Sequence, residues 1–179
     1  MSKICIFGAG AIGGLVGAWL ARSGDAEVSL VARRPFEAIR AHGLRLTEGG
    51  EDHIVLPQTA TDPRELGRQD FIILTVKCHS VPLVVDAIEP LMGPDTAILF
   101  AQNGLPWWYF YLHGGRFDGR CLESVDPGGL LWRRLGPQQA LGCVIRQAAE
   151  IPKRGHVVHV YGDRMPLGEP SGEARPPSA

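Results

Sequence analysis

The sequence is short of the features that mark several large classes of protein. Lysine is scarce, with Lys3, Lys77 and Lys153 the only three among 18 cationic residues. Those cations face 19 carboxylates for a formal net charge of −1. The chain therefore lacks the basic field with which nucleic-acid binders neutralise phosphates, and no nucleic-acid partner is expected. Cysteine is sparse: Cys5, Cys78, Cys121 and Cys143 lie 73, 43 and 22 residues apart and form no C-x-x-C. Zinc needs several Cys or His ligands at short spacing. Cys78 and His79 are merely adjacent, and the odd offset of His156 and His159 on a strand would put their rings on opposite faces. No metal is expected, and unpaired thiols suit a reducing, cytoplasmic setting. Long apolar runs are also missing. Ile4 to Ala21 carries no charge, but five of its eighteen residues are glycine. That density is wrong for the apolar block of a signal peptide and for a membrane helix of ~20 apolar residues.

What is present reads as one globular domain. Hydrophobic residues make up 45% and charged ones 21% of 179 residues, near globular averages. A chain of this size buries roughly 70% of its unfolded surface. The domain is expected over 1–168. Residues 169–179, where Gly, Pro, Ser and charge take over, are expected to be a flexible tail.

Along the chain, strands and helices alternate. Ile4–Phe7 is a short apolar run typical of a strand buried on both faces. The turn Gly8-Ala9-Gly10-Ala11-Ile12-Gly13 follows, and then Leu15, Val16, Trp19 and Leu20 recur at helical spacing as far as a stop at Gly24. Val28–Ala32 is a second strand, and Pro35 opens a second helix towards Gly43. Leu44–Thr47 and His53–Leu56 flank a glycine-containing loop and predict a hairpin. Phe71–Val76 is the most apolar strand. Ser80 and Pro82 predict a helix carrying Leu83, Val84, Ala87 and Ile88 on one face. Thr96–Ala101 is a further strand, Trp107–Leu112 a short helix, and 114–137 a long, partly structured connection. Leu141–Ile145 and His156–Val160 close the pattern as strands. Such alternation predicts an α/β fold, a Rossmann-like, mostly parallel sheet with helices on both faces.

In sheets of that kind, ligands sit outside the carboxyl ends of the strands. Three polar clusters fall at such ends: Gly8–Gly13, Lys77-Cys78-His79 and Gln102-Asn103-Gly104. The G-x-G-x-x-G pattern follows a strand and opens a helix, the context that a dinucleotide site requires. Gly8 would permit the tight turn, Gly10 the approach of a pyrophosphate and Gly13 close packing of helix on strand; Gly14 and Gly17 read as packing only. The position that in NAD sites carries Asp or Glu holds Ala32, followed by Arg33 and Arg34. A guanidinium can grip a 2′-phosphate that a carboxylate would repel, so NADP(H) is the expected cofactor, with Arg33 the better candidate and Arg34 the weaker. Two solvated arginines are the plain alternative. Lys77, a rare lysine ending an apolar strand, is either a solvated terminator or a point charge for a cofactor or substrate oxygen. Asn103 is either a turn asparagine or an amide that orients a nicotinamide or keto acid.

In order and spacing, these marks resemble the N-terminal domain of the ketopantoate reductase (2-dehydropantoate 2-reductase) family. The resemblance runs from Lys3 to Glu169. It rests on GAGAIG at 8–13, Ala-Arg-Arg-Pro at 32–35, Val-Lys at 76–77, Gln-Asn-Gly at 102–104, and Gly155-His-Val-Val-His159 leading to Leu167-Gly168-Glu169. It implies that Gly8, Ala9, Gly10, Ala11, Ile12 and Gly13 bind pyrophosphate, and that Arg33 binds the 2′-phosphate. It places Lys77 and Asn103 near nicotinamide and substrate as positioning residues, and makes Gly155–His159 mostly structural strand. The implied reaction is hydride transfer from NADPH to the ketone of 2-dehydropantoate, giving (R)-pantoate on the route to pantothenate and coenzyme A. Family members continue into a helical C-terminal domain that supplies the lysine general acid, whereas this sequence has no lysine after Lys153. The chain therefore reads as a truncated cofactor-binding half. Without that acid, two alternatives stay open: reduction of another 2-keto acid, or a non-catalytic NADP(H)-binding module. Trp107-Trp108-Tyr109-Phe110 is either a partner surface or core packing. Apolar surface left by a missing domain predicts self-association, as a homodimer or larger species.

Overall fold

Ile4, Cys5, Ile6 and Phe7 have no polar side to turn to water, and the fold buries this run between two neighbouring strands. The computed structural model describes residues 1–32 and 36–172. Its central sheet is built from β1 (Ser2–Phe7), β2 (Ala26–Val31), β5 (Gln58–Ala60), β6 (Phe71–Leu74), β7 (Ala97–Ala101), β8 (Ala140–Cys143) and β11 (Leu167–Gly168). Their spatial order is β11-β8-β7-β6-β1-β2-β5. Every pairing is parallel except that of β11 with β8. Successive side chains leave opposite faces of a strand, and both faces here are core. Cys5, Phe7, Ile72, Leu74, Ile98 and Phe100 enter one apolar cluster, while Ile6, Leu30, Ile73 and Leu99 enter the other.

Helix α1 (Ala11–Ser23) covers the second of these faces through Leu15, Val16 and Ala18, and Gly24 stops it in the left-handed conformation. Against its outer side lies a second sheet. The hairpin β3 (Leu44–Glu48) and β4 (Glu51–Val55) joins β9 (Ala148–Lys153) and β10 (His156–Tyr161) in the order β4-β3-β10-β9. The strand foreseen at His156–Val160 therefore exists, but it pairs in parallel with β3 rather than closing the main sheet. A short helix, α2 (Glu37–His42), precedes the hairpin; its proposed opening at Pro35 lies outside the described residues.

The other face is covered less regularly. The helix expected after Ser80 is broken into a 3-10 turn at Cys78–Ser80, helix α3 (Val85–Ile88) and another 3-10 turn at Glu89–Leu91. Pro82 and Pro90 each withhold an N–H, so a continuous ladder cannot form across them. Val84 and Ile88 are buried as expected, whereas Leu83 is 72% exposed. Residues 107–112 form turns instead of the expected helix. Trp107 and Trp108 pack edge-on at 5.2 Å and are buried, so these two belong to the core. Within the long connection lies an unforeseen helix, α4 (Leu130–Arg134), whose first amides, those of Leu131 and Trp132, donate to the buried carboxylate of Asp126. Arg134 ties α4 back to Asp86 and Glu89. No helix among the described residues is long and apolar enough to cross a membrane.

Candidate dinucleotide and substrate crevice

The chain builds β1, β2 and β5 outward in one direction, then returns to lay β6 on the opposite side of β1. The carboxyl ends of β1 and β6 are thus a topological switch point, where connections diverge and leave a crevice. The glycine turn sits there. Gly8 has φ +111°, and its amide donates to the Val31 carbonyl at 2.9 Å, as does that of Ala9 at 3.3 Å. The hydroxyl of Thr75, just past β6, donates to the Gly8 carbonyl at 2.5 Å. A Cβ at Gly8 would come within 2.8 Å of Val76 Cγ1, and one at Gly13 would collide with the Gly8 carbonyl and lie 2.5 Å from Thr75 Oγ1. Gly10 differs: it is exposed, and an added Cβ would meet nothing nearer than 4.0 Å.

Each of the three therefore has its own reason to be glycine: Gly8 for the turn, Gly13 for contact, and Gly10 for open access to the backbone. Gly10 is the N-cap of α1, which has no side-chain cap and no acidic residue in its first turn. The first amides of a helix have no intrahelical acceptor. Those of Ala11 and Ile12 are therefore available to an anion, with the helix dipole behind them. A pyrophosphate fits these residues. Gly14 and Gly17 are packing glycines, since a Cβ on either would lie 2.7 Å from Val157 Cγ2 or Leu30 Cδ2 respectively.

A crevice of about 310 Å³ continues from this turn, with Ile12, Thr75, Val76, Lys77, Gln102 and Asn103 among its lining residues. Among the described residues no carboxylate lines it, and the ammonium of Lys77 supplies fixed charge there. The side chain of Lys77 is exposed and makes no hydrogen bond or ion pair with a described residue. The Gln102 amide donates to the Val76 carbonyl at 2.6 Å and ties together the ends of β6 and β7. Asn103 is less free than its position suggested. It donates to the Ile145 carbonyl at 3.0 Å and accepts from the Ile145 amide at 2.9 Å. An asparagine amide has two N–H bonds and two lone pairs. One of each is thus spent on fastening the end of β7 to the chain beyond β8, and one of each is left for a ligand.

Lys77 and Asn103 are brought together in one crevice beside Ile12, which joins it to the glycine turn. Arg33, the candidate for the 2′-phosphate, and Arg34 lie outside the described residues. Thr75 is the residue sequence reasoning missed, and Gln102, placed in a strand-end polar cluster, was given no role of its own. Both look like ordinary strand-end residues, and only the juxtaposition of β1, β6 and β7 reveals what they bond. The thiols contribute no nucleophile from the core. Burial pushes Cys5 up to about 12 despite a hydrogen bond with Ser29, and burial raises Cys143 as well.

Comparison with known proteins finds relatives of this chain. The profile of the family described as ketopantoate reductase PanE/ApbA matches residues 4–107. A 2-dehydropantoate 2-reductase of Mesorhizobium japonicum is 49% identical over 172 residues, which cover 96% of this chain and 53% of that protein. Another, from Caulobacter vibrioides, is 32% identical over 149 residues, covering 76% of this chain and 48% of the relative. Among solved structures, a protein from Ralstonia solanacearum described as a ketopantoate reductase superposes with a TM-score of 0.90 at 40% identity, over 98% of this chain and 55% of that one. The chain spans about half the length of the curated relatives it matches.

Proposed function

Because the chain belongs to the ketopantoate reductase family, we propose that it is the cofactor-binding half of an NADPH-dependent reductase of 2-oxo acids, with 2-dehydropantoate the first candidate substrate and (R)-pantoate the product. Such a protein would act on a small molecule in the cytoplasm, on the route to pantothenate and coenzyme A. The observation that carries this reading is the switch-point crevice, which Ile12 of the glycine turn and Lys77 both line, beside an uncapped helix N-terminus and an open Gly10.

The roles of this chain's residues follow from their chemistry. Gly8–Gly13 would hold the pyrophosphate by backbone amides. Arg33 would pair with the 2′-phosphate and set the preference for NADPH over NADH. Bound NADPH supplies the hydride, while the protein supplies position and electrostatics. Lys77 would hold a carboxylate or ketone oxygen of the substrate as a point charge. The free N–H and lone pair of Asn103 would orient substrate or nicotinamide.

The test is a fluorescence titration of the chain with NADPH and with NADH, repeated with Arg33→Ala. Binding of NADPH at least tenfold tighter than NADH, lost in the variant, is expected. A folded chain that binds neither nucleotide would overturn the reading. For the full-length protein, 2-dehydropantoate should drive NADPH oxidation above background, and Lys77→Ala should raise KM.

A further inference from the structure

The glycine turn spends its three leading amides on the protein itself. Those of Gly8 and Ala9 donate to the Val31 carbonyl, and that of Gly10 donates back to the Gly8 carbonyl at 2.7 Å. The last of these bonds closes a three-residue turn, and the amide of Gly14 then donates to the Gly10 carbonyl. The Gly8 carbonyl is the hub of this arrangement. A carbonyl oxygen has two lone pairs, and here they are taken by the Gly10 amide and by the hydroxyl of Thr75 at 2.5 Å. The same oxygen lies so close to Gly13 that a Cβ there would come within 2.2 Å of it. Thr75 is half-buried, and its own amide donates to the Phe7 carbonyl at 3.1 Å, so the chain just past β6 carries the hydroxyl to the end of β1.

We infer that Thr75 is a positioning residue for the cofactor: its hydroxyl locks the Gly8 carbonyl against the start of α1, so that the amides of Ala11 and Ile12 meet an anion with no opposing dipole. The inference rests on the reductase reading above for the identity of that anion, the pyrophosphate of NADPH. A peptide oxygen carries partial negative charge. Left free to swing at a helix N-terminus, it would repel the anion that the helix amides attract. Gly8 cannot prevent the swing by itself, since at φ +111° it has no side chain to resist rotation of the peptide that follows. Threonine suits the task, because its β-branch keeps χ1 stiff and holds the hydroxyl in one direction. Lys77 follows two residues later, so one strand end both fixes the turn and delivers the cation of the crevice.

The test compares two variants of the 179-residue chain. Thr75→Val keeps the shape of the side chain and removes the hydroxyl, whereas Thr75→Ser keeps the hydroxyl. The readouts are fluorescence titration with NADPH and amide hydrogen exchange at Gly10 and Ile73. Gly10 is exposed and exchanges by local opening, while Ile73 is buried in β6 and reports general loss of stability. Thr75→Val is expected to weaken NADPH binding at least tenfold and to speed exchange at Gly10 at least fivefold more than at Ile73. Thr75→Ser should stay within threefold of the wild type in both. Unchanged NADPH affinity in the valine variant overturns the inference. Equal acceleration at Gly10 and Ile73 also overturns it, because the hydroxyl would then be a general stabiliser. A serine variant as impaired as the valine one does the same, since bulk and not the hydroxyl would matter. Failure of the reductase reading looks different: a wild-type chain that binds no NADPH, while Thr75→Val still speeds Gly10 selectively, keeps Thr75 as the lock of the turn and removes the nucleotide.

Discussion

The two faces of the central sheet present the same kinds of residue and are covered in opposite ways. On one face, α1 lies close because Gly13 and Gly17 give it no side chains there, and the second sheet packs on the helix where Gly14 meets Val157. Glu48 fastens that arrangement, accepting from Trp19 Nε1 at 2.9 Å and facing Arg22 and His159 at 3.1 Å each. On the other face the helices among the described residues are short. Bulky rings and short turns fill the space instead, with Trp107 and Trp108 against Phe100. Glycine contact gives a tight, regular layer, whereas aromatic filling leaves a cavity of about 400 Å³.

The comparison predicts different consequences for damage on each face. The largest effect should come from Trp108→Ala. Truncating a buried aromatic costs about 3–5 kcal/mol, read as a loss of denaturation midpoint, and an unchanged midpoint would mean that the ring is surface and not core. Next is the pair Gly13→Val and Gly10→Val. The first forces a side chain into the Gly8 carbonyl and should cost about 3 kcal/mol. The second has space and an extended backbone, φ −82° and ψ −163°, so it should leave stability within about 0.5 kcal/mol and abolish NADPH binding. Equal destabilisation by the two would erase the distinction drawn between these glycines.

A smaller effect should come from Gly14→Ala, at about 1–2 kcal/mol, because the Val157 methyl has some room to give. Combined with Val157→Ala it should cost less than the sum of the two single changes, since they share one contact. Strict additivity would show that the second sheet does not rest on that contact.

The smallest effect is that of pH, and it sharpens the view of the second sheet. His156 is held below its usual value of 6.5 by burial first and by the Arg45 cation next. Glu48 is pushed up by burial, but hydrogen bonds from Trp19 and Arg22 outweigh this and leave it below its usual 4.5. Asp52 lies at about 2 because Arg45 and Thr47 hydrogen-bond to it. All three groups have lower pKa values folded than unfolded, so the unfolded chain takes up protons first and stability falls as pH drops. The melting temperature should start to decline below about pH 6.5 and decline further below about 4.5. His156→Gln should remove the first part only, and a flat melting temperature between pH 7 and 5 would contradict the assignment.

Legibility followed the range of the contacts. The unit β1, glycine turn, α1 and β2 could be read from neighbouring residues because its signals are local: an apolar run, three spaced glycines, a helical repeat and a stop at Gly24. The hairpin β3–β4 was legible for the same reason, through Gly49 and Gly50. β10 was found as a strand but assigned to the wrong sheet, because its partner β3 lies near the other end of the chain. The break at Pro82 and Pro90 was in plain view, yet the apolar spacing of Val84 and Ile88 masked it. α4 depends on the Asp126 carboxylate reaching the Leu131 and Trp132 amides, a contact that spacing alone does not announce.

The unit β1, glycine turn, α1 and β2, the hairpin β3–β4 and a lone lysine at a strand end were decided by the sequence itself, since each depends on residues within one or two turns of backbone. The tertiary structure alone decided that Thr75 closes on Gly8, that Gln102 and Asn103 spend part of their amides on backbone, and that a second cavity adjoins the crevice. Those features arise where β1, β6, β7 and β8 converge, and no local pattern encodes which strand ends become neighbours.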